Sequence, residues 1–417
     1  MTTIDAIALC IAALATAGVI LRPLNLPDWL YATAGAAAVV LVGAVPLPDA
    51  LRGAGEGYEV YTFLIGMMLL AEVAGREGLF DHLAARAVRA ANGSANRLFL
   101  MLYLVGAGVT VFLSNDTTVV VLTPAVLAVT RHAKVPPLPY LFGCAIVANA
   151  ASFVLPISNP ANLVLYHNAL PSLGDWLGRL FLPAVAAIVV SYLCLYSVMR
   201  RELRTQPGTA QLPPLSRGGK VAALGLALSA VLLVAVSAAG GALGLATLAA
   251  GLAVAGTVAL ATRRSPVPLL RHLAWGVLPL VAGLFVLVEV LARQGLLTEL
   301  GLWLGQMAAQ APRLTAGLSG LAAGIASNLA NNLPVGLAAA AVATEGELSR
   351  LMRDCLLIGV DLGPNLSVTG SLATLLWLGT LRRAGVIVTA RQFLWVGVRV
   401  MPPALVLALV ARLCLPG

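Results

Sequence analysis

The sequence predicts an all-α, polytopic membrane protein with about ten transmembrane helices, two re-entrant helical hairpins and two inverted-topology repeats. Composition is the first observation: 60% of the 417 residues are apolar and only 10% are charged, against roughly 45–50% and ~25% in soluble domains. About 250 apolar residues exceed the interior of a soluble protein of this size but match about 12 crossings of ~20 residues. The other two observations are the long apolar stretches and the resemblance between the two halves of the chain.

Ten of the apolar stretches are predicted to be transmembrane spans. They lie near 4–21, 29–46, 60–75, 138–166, 176–199, 219–240, 242–262, 274–292, 355–380 and 393–414. Two further stretches, 98–130 and 314–344, are too long for one crossing and too short for two, and each has polar residues at its middle. A helical hairpin that returns to its own membrane face fits this pattern, because irregular backbone at membrane depth needs surrounding protein or a water-filled cavity.

The distribution of Lys and Arg orients these spans. The loop 200–220 carries five basic residues, which predicts that it lies in the cytoplasm. With both hairpins re-entrant, 19 of the 26 Lys and Arg fall on that side and 7 on the other. We therefore predict a multi-pass protein of the cell (inner) membrane with both termini on the outer side. This bias accounts for the net charge of +9 without a nucleic-acid partner.

The central basic loop separates two halves that show the same landmarks in the same order. The stretch Leu70–Leu79 resembles Leu287–Leu296, and Glu72 and Glu289 are 217 residues apart. Each match leads to a Ser-Asn pair within the following hairpin, and these pairs are Ser114-Asn115 and Ser327-Asn328. Five spans and a hairpin per half make an odd number of crossings, so the second copy must run inverted relative to the first.

This reasoning predicts a division of the chain into three parts. The first inverted repeat covers 1–205, with spans 1–5 and the hairpin 98–130. A cytoplasmic linker follows at 206–218, and the second repeat covers 219–417, with spans 6–10 and the hairpin 314–344. Transporters with such repeats bind substrate near the midplane of the membrane, where broken helices from the two halves meet.

Four polar clusters, one in each hairpin and one in each of two broken spans, predict a substrate-binding site. An Asp at the centre of a membrane helix costs roughly 2.5–3.5 kcal/mol, so such residues usually have a function. The clusters are Ser114, Asn115, Asp116, Thr117 and Thr118; Asn149, Ser158, Asn159 and Asn162; Ser327, Asn328, Asn331 and Asn332; and Asp361, Asn365, Ser367 and Thr369. The alternative is that these residues only join helices by hydrogen bonds. Their symmetric arrangement favours the site.

The residue types in the clusters restrict the substrate. None of the four contains Lys, Arg or His, which disfavours a dicarboxylate or a phosphate. Amides, hydroxyls and two acids suit a neutral polyhydroxylated solute or a cation. Asp116 and Asp361 are the predicted proton carriers, since a carboxyl group in an apolar medium can be neutral and carry a proton. For Glu72 and Glu289 two interpretations stay open: a structural role near a helix end, or a part in proton access.

Other chemistry finds no support in the sequence. The five cysteines are scattered and no pair has metal-ligand spacing. There is no nucleophile–base pair and no phosphate-binding loop. We therefore predict no metal, no cofactor and no enzymatic activity.

The same residues resemble ArsB-type arsenite/antimonite efflux permeases of the ion transporter superfamily. The stretch from Phe112 to Pro124 is similar to their first hairpin, and Asn331–Pro334 is similar to their second. The run Gly359–Asn365, continuing to Trp377, resembles their last broken helix, and the resemblance covers nearly the whole chain. It implies export of arsenite and antimonite, as neutral trihydroxides, in exchange for inward-moving protons. It also implies a scaffold and a mobile transport domain.

The chain departs from the family pattern in its first broken helix. Asn149 stands where the family often carries an acid, and the run from Ser158 to Asn162 also differs. A sodium/proton antiporter of the same superfamily therefore stays open as an alternative, and an anion transporter as a weaker one. Some family members associate with an ArsA-type ATPase, and nothing in the sequence decides whether this chain has such a partner.

Overall fold

The structure, a computed structural model, describes residues 3–23, 26–166, 170–208 and 214–416, and every regular element in these ranges is a helix. Residues 209–213 of the predicted linker lie outside the described residues. The helices of the first half are α1 (Thr3–Leu21), α2 (Asp28–Leu41), α3 (Leu47–Glu56), α4 (Tyr58–Arg76), α5 (Leu79–Ala91), α6 (Ala95–Leu113), α7 (Asn115–Thr117), α8 (Thr123–His132), α9 (Leu138–Ala150), α10 (Pro160–Leu165) and α11 (Leu173–Met199). A π-helical turn, Thr118–Leu122, joins α7 to α8.

The second half has a closely similar series. Its helices are α12 (Arg217–Ala238), α13 (Leu243–Thr262), α14 (Val267–His272), α15 (Val277–Arg293), α16 (Leu296–Gln310), α17 (Pro312–Ala330), α18 (Asn332–Glu345), α19 (Arg350–Leu362), α20 (Leu372–Arg383) and α21 (Ala390–Cys414). Short 3₁₀ turns occur at Pro156–Ser158, Glu202–Arg204 and Gly363–Asn365.

The all-helical, multi-pass class is confirmed. Among the described residues, α1, α4, α6, α11, α12, α13 and α21 are each long and apolar enough to cross a membrane. The pair α15 and α16, bent by 69°, meets the same criteria together. The helices α2 and α9 are apolar but shorter, at 14 and 13 residues. Two predicted spans, 138–166 and 355–380, are each divided into two helices by a break at their polar cluster.

Corresponding helices of the two halves lie a nearly constant number of residues apart along the chain. Helices α6 and α17 both have 19 residues and start 217 residues apart, and α11 and α21 start at the same separation. Helices α9 and α19 both have 13 residues, and their separation is 212. The helices α5 and α16 also correspond, although neither was predicted from the sequence. Each follows a glycine with φ of 72°, Gly78 or Gly295, a conformation that costs glycine no Cβ clash.

Both predicted hairpins fold back at a residue with positive φ. The first hairpin turns at Ser114 (φ 93°), and the chain then returns along α6. Two contacts join the arms: the Thr118 hydroxyl lies 2.7 Å from that of Thr110 and 3.4 Å from the carbonyl of Gly106. The second hairpin turns at Asn331 (φ 69°), four residues after the Ser327 expected from the sequence pairing. Ser114 therefore corresponds to Asn331, at the same separation of 217 residues that relates Glu72 to Glu289.

Helices of each half pack against helices of the other half. Helix α4 packs against α13, and its counterpart α15 packs against α2. The approach of α4 to α13 is close, since a Cβ on Gly66 would lie 2.3 Å from the backbone of Thr247. In the same manner α10 contacts α18 of the second hairpin, and α20 contacts the π-turn of the first. Each broken span thus lies against the hairpin of the other half, which brings the four polar clusters to the centre of the molecule.

Candidate functional site

The tip of the first hairpin presents a carboxylate to a cavity. Asn115 accepts the backbone N–H of Asp116 on its side-chain oxygen at 2.9 Å, and the hydroxyls of Ser114 and Thr117 are 3.3 Å apart. No described residue donates a hydrogen bond to the Asp116 carboxylate. The cavity beside it has a volume of about 120 Å³ and is also lined by Met67 of α4. Its other walls are residues of α4, α20 and the segment 272–277.

Asp361 joins the second broken span to the break of the first. It is fully buried in the last turn of α19. The Ser152 hydroxyl donates to its Oδ2 at 2.6 Å, and the Asn159 amide donates to its Oδ1 at 2.8 Å. Asn159 also caps α10, because its side-chain oxygen accepts the N–H of Ala161. A single carboxylate therefore holds the two halves together at their breaks.

Asn149 occupies the position in α9 that corresponds to Asp361. Its amide donates to the side-chain oxygen of Asn365 at 2.9 Å, and Asn365 donates back to the carbonyl of Ile146 at 3.0 Å. Asn162 donates to the carbonyl of Ser152 at 2.8 Å. The side-chain oxygens of Asn149 and Asn162 are buried and receive no hydrogen bond from a described residue. Two buried acceptors thus remain available within the network that contains Asp361.

The second hairpin is tied to the second break mainly through Asn328. Its amide donates to the carbonyl of Gly363 at 2.9 Å, and its side-chain oxygen accepts the hydroxyl of Ser367 at 2.8 Å. The Thr369 hydroxyl donates to the Asn328 carbonyl at 2.8 Å. Beside them the N–H of Asn332 donates to the carbonyl of Gly370 at 2.9 Å. The second hairpin and the second break therefore form one hydrogen-bonded unit.

Three of the predicted site residues have their hydroxyls engaged by nearby backbone. Ser327 donates to the carbonyl of Ala323 in its own helix. Ser158 donates to the carbonyl of Val111 at 3.0 Å, which attaches the first break to α6. Thr117 donates to the carbonyl of Leu113 at 2.8 Å while it also lines the cavity at Asp116.

The two glutamates form equivalent ion pairs. Glu72 accepts from Arg76 at 2.6 Å, and Glu289 accepts from Arg293 at 2.9 Å, each four residues further along its helix. These contacts supply the structural role that was one of the two interpretations. The two glutamates differ in one respect. Glu72 lines the cavity at Asp116, but Glu289 does not line the cavity beside the second hairpin. That cavity is lined by Thr16 and by apolar side chains of α1, α15, α17 and α18.

A buried charge cluster was missed by the sequence reasoning. Asp354, fully buried in α19, accepts from Nη1 of Arg179 on both carboxylate oxygens, at 2.8 and 2.9 Å, and from Nε of Arg412 at 2.8 Å. Tyr166 also donates to this carboxylate. Arg412 is fully buried in the last turn of α21. At the positions that correspond to these residues in the other half of the chain, 142, 195, 378 and 396, the residues are all apolar and buried. The sequence did contain one signal for this cluster: Asp354 and Arg412 each lie within two residues of an end of a predicted span.

Paired broken spans, two hairpins and several membrane-crossing helices define a membrane transporter. The profile of the CitMHS citrate transporter family matches residues 9–353. The protein belongs to this family, which is part of the ion transporter superfamily. Its relatives are also transporters, so the expectation of a transporter and not an enzyme is confirmed.

Curated relatives match nearly the full length of the chain. The arsenical pump membrane protein of Escherichia coli (strain K12) is 25% identical over 416 residues, which cover 94% of this chain and 95% of that protein. An uncharacterized transporter of Mycobacterium tuberculosis is 25% identical over 403 residues, which cover 91% of each.

Two solved structures show the same fold. The YdaH transporter of Alcanivorax borkumensis has a TM-score of 0.58 and 17% sequence identity, over 99% of this chain and 98% of that one. MtrF of Neisseria gonorrhoeae, described as illuminating a class of antimetabolite efflux pumps, has a TM-score of 0.52 and 13% identity, over 99% and 95%.

Proposed function

We propose that this transporter exports arsenite and antimonite, as neutral trihydroxides, from the cytoplasm in exchange for protons. The observation that carries the proposal is the cavity at the first hairpin. Its polar side chains are those of Ser114, Asp116 and Thr117 together with Glu72 and His272, and no Lys or Arg is among the described residues that line it. Hydroxyl and carboxylate groups bind a solute that both donates and accepts hydrogen bonds but carries no net charge.

The size of this cavity supports a small solute. Its volume of about 120 Å³ is below the roughly 300–1,000 Å³ of pockets that bind drug-sized ligands. A trihydroxide of arsenic or antimony has four non-hydrogen atoms, whereas citrate has thirteen. The similarity to the arsenical pump membrane protein of E. coli, which extends over the whole length, points to the same substrate class.

Proton coupling is proposed to use Asp116 and Asp361. Asp361 bridges the two halves through Ser152 and Asn159, so a change in its charge alters the bonds that join the two breaks. Asp116 lies at the cavity itself, where a proton and a substrate would compete for the same polar groups. We assign Glu72 a part in proton access because it lines this cavity, and we assign Glu289 only its ion pair.

The remaining parts of the proposal concern organisation. Repeats over 1–205 and 219–417 would run inverted in the cell (inner) membrane, with the linker 206–218 in the cytoplasm and both termini outside. The matched helix registers of the two halves support two repeats. Exchange driven by protons requires no ATPase, so an ArsA-type subunit would be an additional partner. Copurification from cells tests whether such a subunit is present.

A second candidate function is sodium/proton antiport, and one observation favours it. The side-chain oxygens of Asn149 and Asn162 are buried without a donor in the network around Asp361. Carbonyl and carboxylate oxygens are the ligands that hard cations take. An anion transporter has less support, because the buried guanidinium groups of Arg179 and Arg412 are both bound to Asp354.

Transport in everted membrane vesicles tests the proposal. Everted vesicles whose lumen is acidified, so that protons are driven outward through the transporter, are expected to accumulate arsenite in the absence of sodium. Asp116→Asn and Asp361→Asn should each reduce coupled uptake to the level of empty vesicles, while the exposed Glu299→Gln should retain it. If sodium dissipates the proton gradient and arsenite does not, the antiporter is the correct function and arsenite export is wrong.

A further inference from the structure

A second polar cavity lies where the end of α4 and the start of α12 meet the end of α13. It has a volume of about 440 Å³, and Arg76, Arg217 and Arg264 line it. We propose that this cavity binds the phosphate headgroup of an anionic phospholipid, with an acyl chain in the apolar groove that continues from it. All three arginines belong to segments that the charge bias predicts on the cytoplasmic side.

The charges in this cavity favour a phosphate. Arg217 and Arg264 are exposed, and neither side chain makes an ion pair or hydrogen bond with a described residue. Arg76 is already held by Glu72, and Glu77 is the acidic residue among the lining. Three guanidinium groups thus face one carboxylate. Guanidinium groups bind phosphate oxygens in a bidentate manner, so two arginines with free donors suit a phosphate monoanion or dianion.

The backbone at this cavity is the start of a long helix. Helix α12 has 22 residues, with Ser216 as its N-cap, and the Ser216 hydroxyl accepts the N–H of Gly219 at 2.9 Å. The N-terminus of a helix favours a nearby anion, and here the Glu77 carboxylate already lies at it and accepts the Ser216 hydroxyl at 3.3 Å. The attraction for a phosphate therefore comes from Arg217 and Arg264.

An apolar groove distinguishes a phospholipid from a soluble phosphate. A neighbouring cavity of about 110 Å³ shares Arg76, Glu77 and Arg264 with the basic one, so the two are continuous. Its further lining comes mainly from apolar side chains of α4, α13 and α14, including Val258 and Leu269. A basic pocket between membrane helices that opens into an apolar groove matches a headgroup followed by an acyl chain. A free phosphate ion would use only the basic end.

The short helix α14 connects this lipid site to the transport cavity. Leu269 lines the groove, while His272 and Leu273 at the other end of the same segment line the cavity at Asp116. Arg76 donates to the carbonyl of Pro268 at 2.7 Å and so holds α14 from the lipid side. A bound lipid would therefore fix one wall of the transport cavity. This consequence depends on the proposed function, whereas lipid binding does not.

Lipid binding to the purified full-length protein in non-ionic detergent tests the proposal. Phosphatidylglycerol, phosphatidylcholine and inorganic phosphate are compared by native mass spectrometry and by the midpoint of thermal unfolding. Phosphatidylglycerol is expected to bind and to raise the midpoint, and the other two are not. The double variant Arg217→Gln/Arg264→Gln should bind it about 30-fold more weakly, since each basic residue at an anionic lipid surface contributes about fivefold. The control Arg391→Gln, an exposed arginine elsewhere on the same predicted face, should bind like the wild type.

A second variant tests the groove without changing charge. Ala259→Trp would fill the apolar part of the site and should also weaken phosphatidylglycerol binding. Equal binding of phosphatidylcholine, equal protection by inorganic phosphate, or unchanged binding by the double variant would overturn the lipid site. Because these measurements contain no arsenite, their outcome is independent of the transport assay.

Discussion

Replacing Asp354 by Asn is expected to destabilise the protein strongly, although the change removes no bulk. The carboxylate is fully buried, and it accepts from Arg179, Arg412 and Tyr166. Asn retains one acceptor oxygen and loses the charge. Two guanidinium groups, one fully buried and one with its side chain 11% exposed, would then lack their counter-ion. Breaking a buried ion pair by removing one partner costs about 3–5 kcal/mol.

The measurement is the free energy of unfolding in mixed micelles of a non-ionic detergent and SDS, for wild type and variant side by side. A loss of about 3–5 kcal/mol is expected for Asp354→Asn. The triple variant Asp354→Leu/Arg179→Met/Arg412→Met should recover most of this loss, because well-packed apolar side chains often replace a buried ion pair without cost. The buried apolar side chains at the corresponding positions of the other half, including Phe142 and Leu195, show that the fold accepts this solution.

Two outcomes would contradict this reasoning. If Asp354→Asn loses less than about 1 kcal/mol, the cluster behaves like an exposed ion pair and its burial has been overestimated. If the triple variant is as unstable as the single one, the cost comes from shape and not from unpaired charge.

Three further predictions concern the hairpins and the glutamates. Asn328→Ala should lower the free energy of unfolding by about 1–3 kcal/mol, because it leaves buried polar groups of the second hairpin and the second break without partners. Protease cleavage within the second break should also become faster. Gly359→Val should prevent folded protein from accumulating, since its Cβ would lie 2.0 Å from the α17 backbone, whereas Gly379→Ala, with open space, should express normally. Glu289→Gln should keep arsenite uptake in vesicles within about twofold of the wild-type rate, whereas Glu72→Gln should reduce uptake further. Equal effects of the two substitutions would contradict the assignment of Glu72 to proton access.

The breaks in the two central spans could be predicted because they are local. Pro156 and Pro160 remove backbone donors in the first, and Pro364 lies within the second, so a continuous helix is costly there in any context. The amphipathic helix α5 could not be found from apolar content, since only one of its faces is apolar. The residue at which the second hairpin turns could not be chosen from the sequence, because Ser327-Asn328 and Asn331-Asn332 both lie at the middle of the stretch, and the structure turns at Asn331.

The contents of the site were partly predictable. Asp116 was expected at a hairpin tip and Asp361 in a broken span, and the structure has them there. That Asp361 binds Ser152 and Asn159 of the other half was not predictable, since these residues are about 200 positions away along the chain. The cluster of Arg179, Asp354 and Arg412 was missed for the same reason.

The amino-acid sequence alone determined that this chain crosses a membrane many times, that its two halves share a pattern, and that polar residues interrupt four of its apolar stretches. These properties follow from the cost of placing polar groups in lipid, which acts on each segment separately. Only the tertiary structure decided which polar residue meets which, and which acid faces a cavity and which is enclosed. Such pairings depend on how α4, α13 and the two hairpins pack across the repeat boundary, and that packing is a property of the whole fold.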